Sequence, residues 1–318
     1  MQSRCIENIP VNELNVLAVD DEPFNLEILS EWLVDWGMNV DTSENGQHAL
    51  SLLATGKRRY HAILLDRMMP QMDGFEFLAA LKQHPQWTGI PVVMQSASAT
   101  VDEIQYAFAQ GVWYYLCKPF DRRKLYSIIE TAISDAMVHA QLRQLVKESS
   151  SPSATVSSDI QAFEVKTLTE AHDAAVKLAC LTTKPEKVVV GLYELLQNAV
   201  EHGNLEIAYK EKTHLLYDHA WKDEIAARLG SSPYCDRTVN ISVTATDAGL
   251  QYRIKDNGKG FKSDPYMRLQ THRAGDNHGR GIAIANNCSF ARLEYRSGGT
   301  EVLAFAETFT DTTSGKAA

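Results

Sequence analysis

The stretch AILLDRMMPQMDGFEFLAALKQH, residues 62–84, decides how the first half of the chain folds. Its four apolar residues ending in Asp66 read as a strand buried on both faces. A turn carrying Pro70 and Gly74 follows, and GFEFLAALKQH then repeats apolar residues at helical spacing. The same alternation extends to either side. VLAVD (16–20) precedes the helical PFNLEILSEWLVDW (23–36), PVVMQSA (91–97) precedes DEIQYAFAQ (102–110), and YYLCKPF (114–120) closes the series. Strands alternating with helices imply a parallel sheet with helices on both faces.

In such a sheet the carboxyl ends of the strands meet at one edge. Asp20 and Asp21 follow VLAV, Asp66 follows AILL, Ser96 follows PVVMQ and Lys118 follows YYLC. Clustered carboxylates repel one another unless a hard divalent cation joins them, and Mg²⁺ held by one or two carboxylates plus waters suits this set. The cation would also make one Asp a workable phosphoryl acceptor. A hydroxyl and an ammonium complete the site, one donating to a phosphoryl oxygen and the other neutralising it. Any single Asp at a strand end is more simply a cap or turn former, so the weight rests on the five residues together.

These motifs, DDEP at 20–23, DRMMPQMDG at 66–74, Ser96 and KPF at 118–120, resemble the receiver domain of two-component response regulators. The resemblance implies a doubly wound, five-stranded parallel, flavodoxin-like α/β domain over residues 12–134. It implies Asp66 as phosphoacceptor, Asp21 and Asp66 as direct Mg²⁺ ligands, Asp20 as a ligand through water and the Met68 backbone carbonyl as another. Lys118 would contact the phosphoryl group, Ser96 and Tyr115 would form the switch pair, and Lys118–Pro119 would be cis. An upstream histidine kinase or phosphotransfer protein would supply the phosphoryl group.

Residues 122–147 contain no Gly or Pro and carry Leu125, Ile129, Ala132, Ala136 and Ala140 at helical spacing, which predicts one long helix. A second stripe of Val138, Leu142 and Leu145 would serve either as a homodimer seam or as a solvated connector, and both readings stay open. KESSSPSATVSSD (147–159) has the composition of a flexible linker, so residues 135–160 form a helical and Ser-rich connection.

The 318 residues leave room for a second domain, here 161–312. FEVKTL reads as a strand, EAHDAAVKLACL and PEKVVVGLYELLQNAVEHG as helices, and TVNISVTAT, LQYRIKD, ARLEYRS and TEVLAFAE as strands. Helices grouped before strands imply an α+β sandwich. Glu194 and Asn198 are four residues apart on the second helix and share a face, a carboxylate able to activate a hydroxyl beside an amide able to hold a cation. DNGKG (256–260) and HGRGI (278–282) add two glycine turns whose backbone N–H groups can approach phosphates.

The ordered set ExxxN, DxGxG and GxGI resembles the nucleotide-binding boxes of the superfamily of gyrase, heat-shock chaperone, mismatch-repair and histidine-kinase ATPases. That resemblance implies an ATP site in which Asn198 binds Mg²⁺ and Asp256 accepts from the adenine amino group. Gly258, Gly260, Gly279 and Gly281 would border the nucleotide, Arg280 would meet the phosphates, Thr300 would lie near the base, and 261–278 would be a lid. NAVEHGN and GRGI look most like the anti-sigma-factor serine kinases, with Glu194 as general base. The downstream partner would then be an anti-sigma-factor antagonist or a sigma factor.

Two alternatives remain in view. An ATP-binding protein that sequesters a partner without transfer would have no use for Glu194 as a base. An atypical histidine kinase would need its acceptor on a helical hairpin, and the long helix offers only His139, without the acidic residue that normally follows. With 31 Lys and Arg against 40 Asp and Glu, the net charge of -9 argues against direct binding of nucleic acid or anionic membranes, and no basic recognition helix is evident. Five scattered cysteines and the absence of a signal or membrane segment lead to the expectation of a cytoplasmic protein. The charged stretch 205–237 reads as a helical insert for partner recognition or as a solvated surface element.

Overall fold

The computed structural model describes residues 5–6, 9–97, 100–149, 161–247, 249–263 and 280–307. Two compact units divide the chain between Ala140 and Gln141. In the first, a hairpin of β1 (Cys5–Ile6) and β2 (Ile9–Pro10) precedes the alternating elements. These are β3 (Asn15–Val19), α1 (Pro23–Trp36), β4 (Asn39–Ser43), α2 (Gly46–Ala54), β5 (Ala62–Asp66), α3 (Gly74–Lys82), β6 (Val92–Ser96), α4 (Val101–Ala109), β7 (Tyr114–Cys117) and α5 (Arg122–Ser149). The sheet is parallel throughout in the order β4-β3-β5-β6-β7.

Because successive strand residues point to opposite faces, adjacent apolar residues feed two cores. Val16, Leu64 and Val93 join Leu33 of α1 and Leu125 and Ile129 of α5 in one. Leu17, Ile63 and Met94 join Ala49, Phe77 and Ile104 of α2, α3 and α4 in the other. Each large side chain buried this way contributes about 1.5–3 kcal/mol relative to exposure, so the two cores, not the short helices' own propensities, hold the sheet together. The helix starts are set by side chains: Asp73 with Glu76 forms a capping box on α3, and Thr100 with Glu103 forms one on α4.

One residue breaks the apolar pattern. Gln95, at the centre of the sheet, is fully buried, and neither end of its amide has a hydrogen-bond partner among the described residues. An unpaired buried amide costs about 1–3 kcal/mol. Gln95→Leu, close in volume and without polar atoms, is expected to raise stability by an amount of that order, measured as an increased urea midpoint at unchanged m.

The helix α5 runs 28 residues. Of the stripe Val138, Leu142 and Leu145, Leu142 is buried within the second unit, as is Val146 one turn further on.

The second unit contains β8 (Gln161–Val165), α6 (Leu168–Ala179), α7 (Pro185–Asn198), a π-helical turn (Ala199–Asn204), α8 (Tyr209–Tyr217), α9 (Trp221–Leu229), β9 (Val239–Thr246), β10 (Gly249–Lys255), a helical turn (Gly281–Ile284), β11 (Arg292–Arg296) and β12 (Glu301–Glu307). Its sheet is antiparallel in the order β11-β12-β10-β9-β8. Inward residues of β9 and β10, Ile241, Val243, Tyr252 and Ile254, are buried. So are Ala171, Ala175, Leu178, Val189, Leu192 and Leu196 of α6 and α7, giving a helix layer on a sheet layer. The Tyr252 hydroxyl ties the layers by donating to the Leu178 carbonyl at 3.0 Å. The fold is therefore the expected pair: a doubly wound parallel sheet, then an α+β sandwich.

Candidate phosphoryl-acceptor and nucleotide sites

At the carboxyl edge of the first sheet, Lys118 Nζ bridges two carboxylates, Asp20 Oδ2 at 2.8 Å and Asp66 Oδ1. The remaining oxygens are also held. Asp20 Oδ1 accepts from the Glu22 amide and from Asn25 Nδ2, each at 3.0 Å, and Asp66 Oδ2 accepts from the Met68 amide at 2.7 Å. Burial pushes the Asp66 pKa up, Lys118 pulls it back, and the Asp20 charge adds to the rise. Burial works against the Lys118 charge, yet hydrogen bonds to Asp20 and Asp66 outweigh it and raise that pKa. Two carboxylates thus share one ammonium, with the half-buried Asp21 beside them, and the site keeps surplus negative charge.

That surplus and the all-oxygen donor set fit Mg²⁺. Among the described residues no three His, Cys, Asp or Glu side chains already converge as a metal cluster. Lys118 stands between Asp20 and Asp66 instead. Gly74 explains itself by proximity, since a Cβ there would lie 2.8 Å from the Asp66 carbonyl oxygen.

Ser96 is buried at the end of β6. Tyr115 on β7 is fully buried, its ring turned inward, and burial raises its pKa against the influence of the Ser96 hydroxyl. Lys118–Pro119 is cis. Asn25 and the Arg67–Glu103 ion pair, 2.8 Å long, were not singled out from the sequence. Asn25 lies one helical turn past Asp21 and carries no signal of its own.

The second unit holds a cavity of about 310 Å³. Asn198, His202, Asp256, Gly260 and Gly281 are among its walls. A Cβ on Gly281 would sit 2.1 Å from Glu194 Oε2 and 3.2 Å from Asn198 Nδ2, so the carboxylate and the amide converge on that glycine. The first glycine turn packs backbone to backbone against α7's continuation: a Cβ on Gly258 would lie 2.3 Å from the Gly203 carbonyl. Asp256 Oδ1 accepts from the Gly258 amide at 2.8 Å, and the Asn257 amide donates to Asn204 Oδ1 at 2.8 Å. Gly203 and Gly299 also line the cavity although neither was expected. Their signal was a glycine whose neighbour in space is another turn, which one sequence does not reveal.

The expected residues are not all on the cavity. Thr300 turns its hydroxyl to the Ser297 carbonyl at 3.1 Å, and its own carbonyl accepts from the Asp256 amide at 3.0 Å. Glu301 and Val302 line the cavity in its place. Arg280 precedes the Gly281 turn and is buried, its pKa driven well below the ordinary guanidinium value by desolvation. Gly279 and 264–278 of the expected lid lie outside the described residues.

Burial pushes the Asp256 carboxyl up to about 6. Since the fold favours the protonated form, the stability that proton binding gives is lost as pH rises from the unfolded value of about 4 through 6. The carboxylate is the stronger acceptor for an amino group, so the ligand acts in the opposite direction. Nucleotide affinity is expected to fall as pH drops below about 6, read as a rising Kd in calorimetric titrations between pH 7.5 and 5. An Asp256→Asn protein with the same pH profile would sink this assignment.

Among the described residues no helix is long and apolar enough to cross a membrane. Residues 16–130 match the response regulator receiver domain, and residues 158–305 match the histidine kinase-like ATPase domain. The first region is similar to the transcriptional regulatory protein TcrA of Mycobacterium tuberculosis, 36% identical over 117 residues, covering 37% of this chain and 45% of that protein. It is similar to the probable transcriptional regulator ycf29 of Porphyra purpurea, 31% identical over 127 residues, covering 40% and 60%. An uncharacterised 14.6 kDa protein of Leptolyngbya boryana is 33% identical over 119 residues, covering 37% of this chain and 88% of that one. The chain thus spans about half the length of the first two. The chemotaxis protein CheY4 of Vibrio cholerae aligns over 37% of this chain and 98% of its own, at 32% identity and a TM-score of 0.36. With carboxylates, lysine and glycine turns arranged as described, the chain belongs to the response regulators, its receiver domain joined to an ATP-binding domain of the histidine kinase-like family.

Proposed function

We propose that Asp66 accepts a phosphoryl group from an upstream histidine kinase or phosphotransfer protein. Its phosphorylation controls a protein serine kinase formed by residues 161–312, which acts on an anti-sigma-factor antagonist or a similar partner. The observation that carries the kinase reading is the convergence of Glu194 and Asn198 on Gly281 beside a cavity that Asn198, Gly281 and Asp256 line together. On this reading the base of the nucleotide would meet Asp256 and its phosphates would reach the α7 face. Asn198 would hold Mg²⁺, which supplies charge neutralisation at the phosphates. Glu194 would take the proton from an incoming serine hydroxyl. In the receiver, Asp21, Asp66 and the Met68 carbonyl would hold the other Mg²⁺.

The test is incubation of the full chain with radiolabelled ATP and candidate antagonist proteins. Label on a partner serine, lost when Glu194 is replaced, supports the kinase. Tight ATP binding with no transfer to any candidate, and stable partner capture, favours the sequestering alternative. Acid-labile, base-stable label on His139 would revive the histidine-kinase alternative.

A further inference from the structure

The charged stretch after the α7 continuation turns out to be part of the cavity. Ile207, Ala208 and Tyr209, at the start of the insert, are wall residues of the same 310 Å³ space as Asp256 and Asn198. His202 Nδ1 lies 2.6 Å from the Ile207 carbonyl, which fixes Nδ1 as the donor, and the adjacent Gly203 is so close to Asp256 that a Cβ there would lie 2.4 Å from Asp256 Cγ. The insert's first residues and the base-reading carboxylate therefore meet over one turn of backbone.

The insert is also fastened to that turn. Lys212, one helical turn after Tyr209 on α8, pairs with the fully buried Glu201, whose other oxygen accepts from Gln197 Nε2 at 2.7 Å. Residues three apart on a helix are neighbours, so this pair fixes the helix face that carries Tyr209. Glu206, held in the left-handed region at φ 52°, bridges Arg237 at 2.9 Å and Lys259 of the glycine turn at 2.6 Å. A solvated surface element has no reason to bury a lysine against a carboxylate or to tie its two ends to each other through Glu206.

We propose that Tyr209 is a nucleotide-contacting residue, its ring packing on the base of a purine nucleoside triphosphate beside Asp256, with the Lys212–Glu201 pair as its positioning device. The inference rests on the ATP reading above and adds to it a residue that the glycine motifs do not supply. Stacking of a base on an aromatic ring is worth about 1–3 kcal/mol, so removing the ring weakens binding roughly tenfold or more. The contact lies away from the phosphates, so adenosine and ATP lose the same factor.

The experiment titrates the full chain with ATP and with adenosine, for wild type, Tyr209→Phe, Tyr209→Leu, Tyr209→Ala and Asp256→Asn, each checked for an intact thermal transition. The expected result is near-normal affinity for Tyr209→Phe and an equal loss of about tenfold for both ligands in Tyr209→Ala. Tyr209→Leu keeps apolar bulk at the site and should still lose most of that affinity. Wild-type affinity in a folded Tyr209→Leu or Tyr209→Ala protein, while Asp256→Asn weakens binding, overturns this inference alone. A wild-type chain that binds no nucleotide overturns the ATP reading and this inference with it.

Discussion

Asp66→Asn is expected to reduce phosphoryl acceptance from a small phosphodonor such as acetyl phosphate to background, measured as base- and hydroxylamine-labile label on the intact chain. The carboxylate is at the end of β5, where its two oxygens are held by Lys118 and by the Met68 amide. Asn keeps the size and one acceptor oxygen but has no nucleophilic carboxylate to form the acyl phosphate. The fold should survive the change. Burial already raises the Asp66 pKa, so neutralising this group removes a cost as well as an ion pair. Label retained at the wild-type level in Asp66→Asn would remove Asp66 as the acceptor.

Glu194→Gln is expected to lower the rate of phosphoryl transfer to protein by about 10²–10⁴ while leaving ATP affinity nearly unchanged, since a general base contributes that much and acts on the hydroxyl and not on the nucleotide. The geometry gives the reason for the separation. Glu194 Oε2 faces Gly281 together with Asn198, whereas Asp256 lies against Gly203 and accepts from the Gly258 amide. A parallel fall in ATP affinity would instead assign Glu194 to nucleotide binding.

Much of the architecture was legible because the apolar strands are short and bounded. VLAV, AILL and PVVM announced a buried parallel sheet, and they form β3, β5 and β6. The strand β4, NVDTS, was not legible: it lies at the sheet edge, where only one neighbour and one partly covered face constrain its residues, so polar side chains serve as well as apolar ones. The N-terminal hairpin was hidden for a similar reason. Two residues per strand carry no period, and only Ile6, buried against the α1 and α5 core, explains it.

The sites divided in the same way. Asp20, Asp66 and Lys118 were readable because strand ends converge in any such sheet, and one ammonium does join both carboxylates. Asp256 and Gly281 were readable as punctuated motifs. Thr300 lies just before β12, following the turn Ser297–Gly299, and the neighbouring Glu301 and Val302 are the residues on the cavity wall, a placement that a single sequence does not reveal. The insert was read as a helical element for partner recognition or as a solvated surface element, and it does form the helices α8 and α9. Its Lys212–Glu201 pair is buried, and composition cannot separate a buried ion pair from a solvated one.

The central claim is that phosphate on Asp66 sets the output of the ATP-binding domain. Its most direct test is the rate of label transfer from ATP to a serine of the antagonist protein by the full chain, before and after phosphorylation with acetyl phosphate, beside Asp66→Asn. The expected result is a severalfold change on phosphorylation in the wild type and none in Asp66→Asn. Equal rates in the wild type with and without phosphate on Asp66, under conditions where the receiver is shown to be labelled, would contradict it.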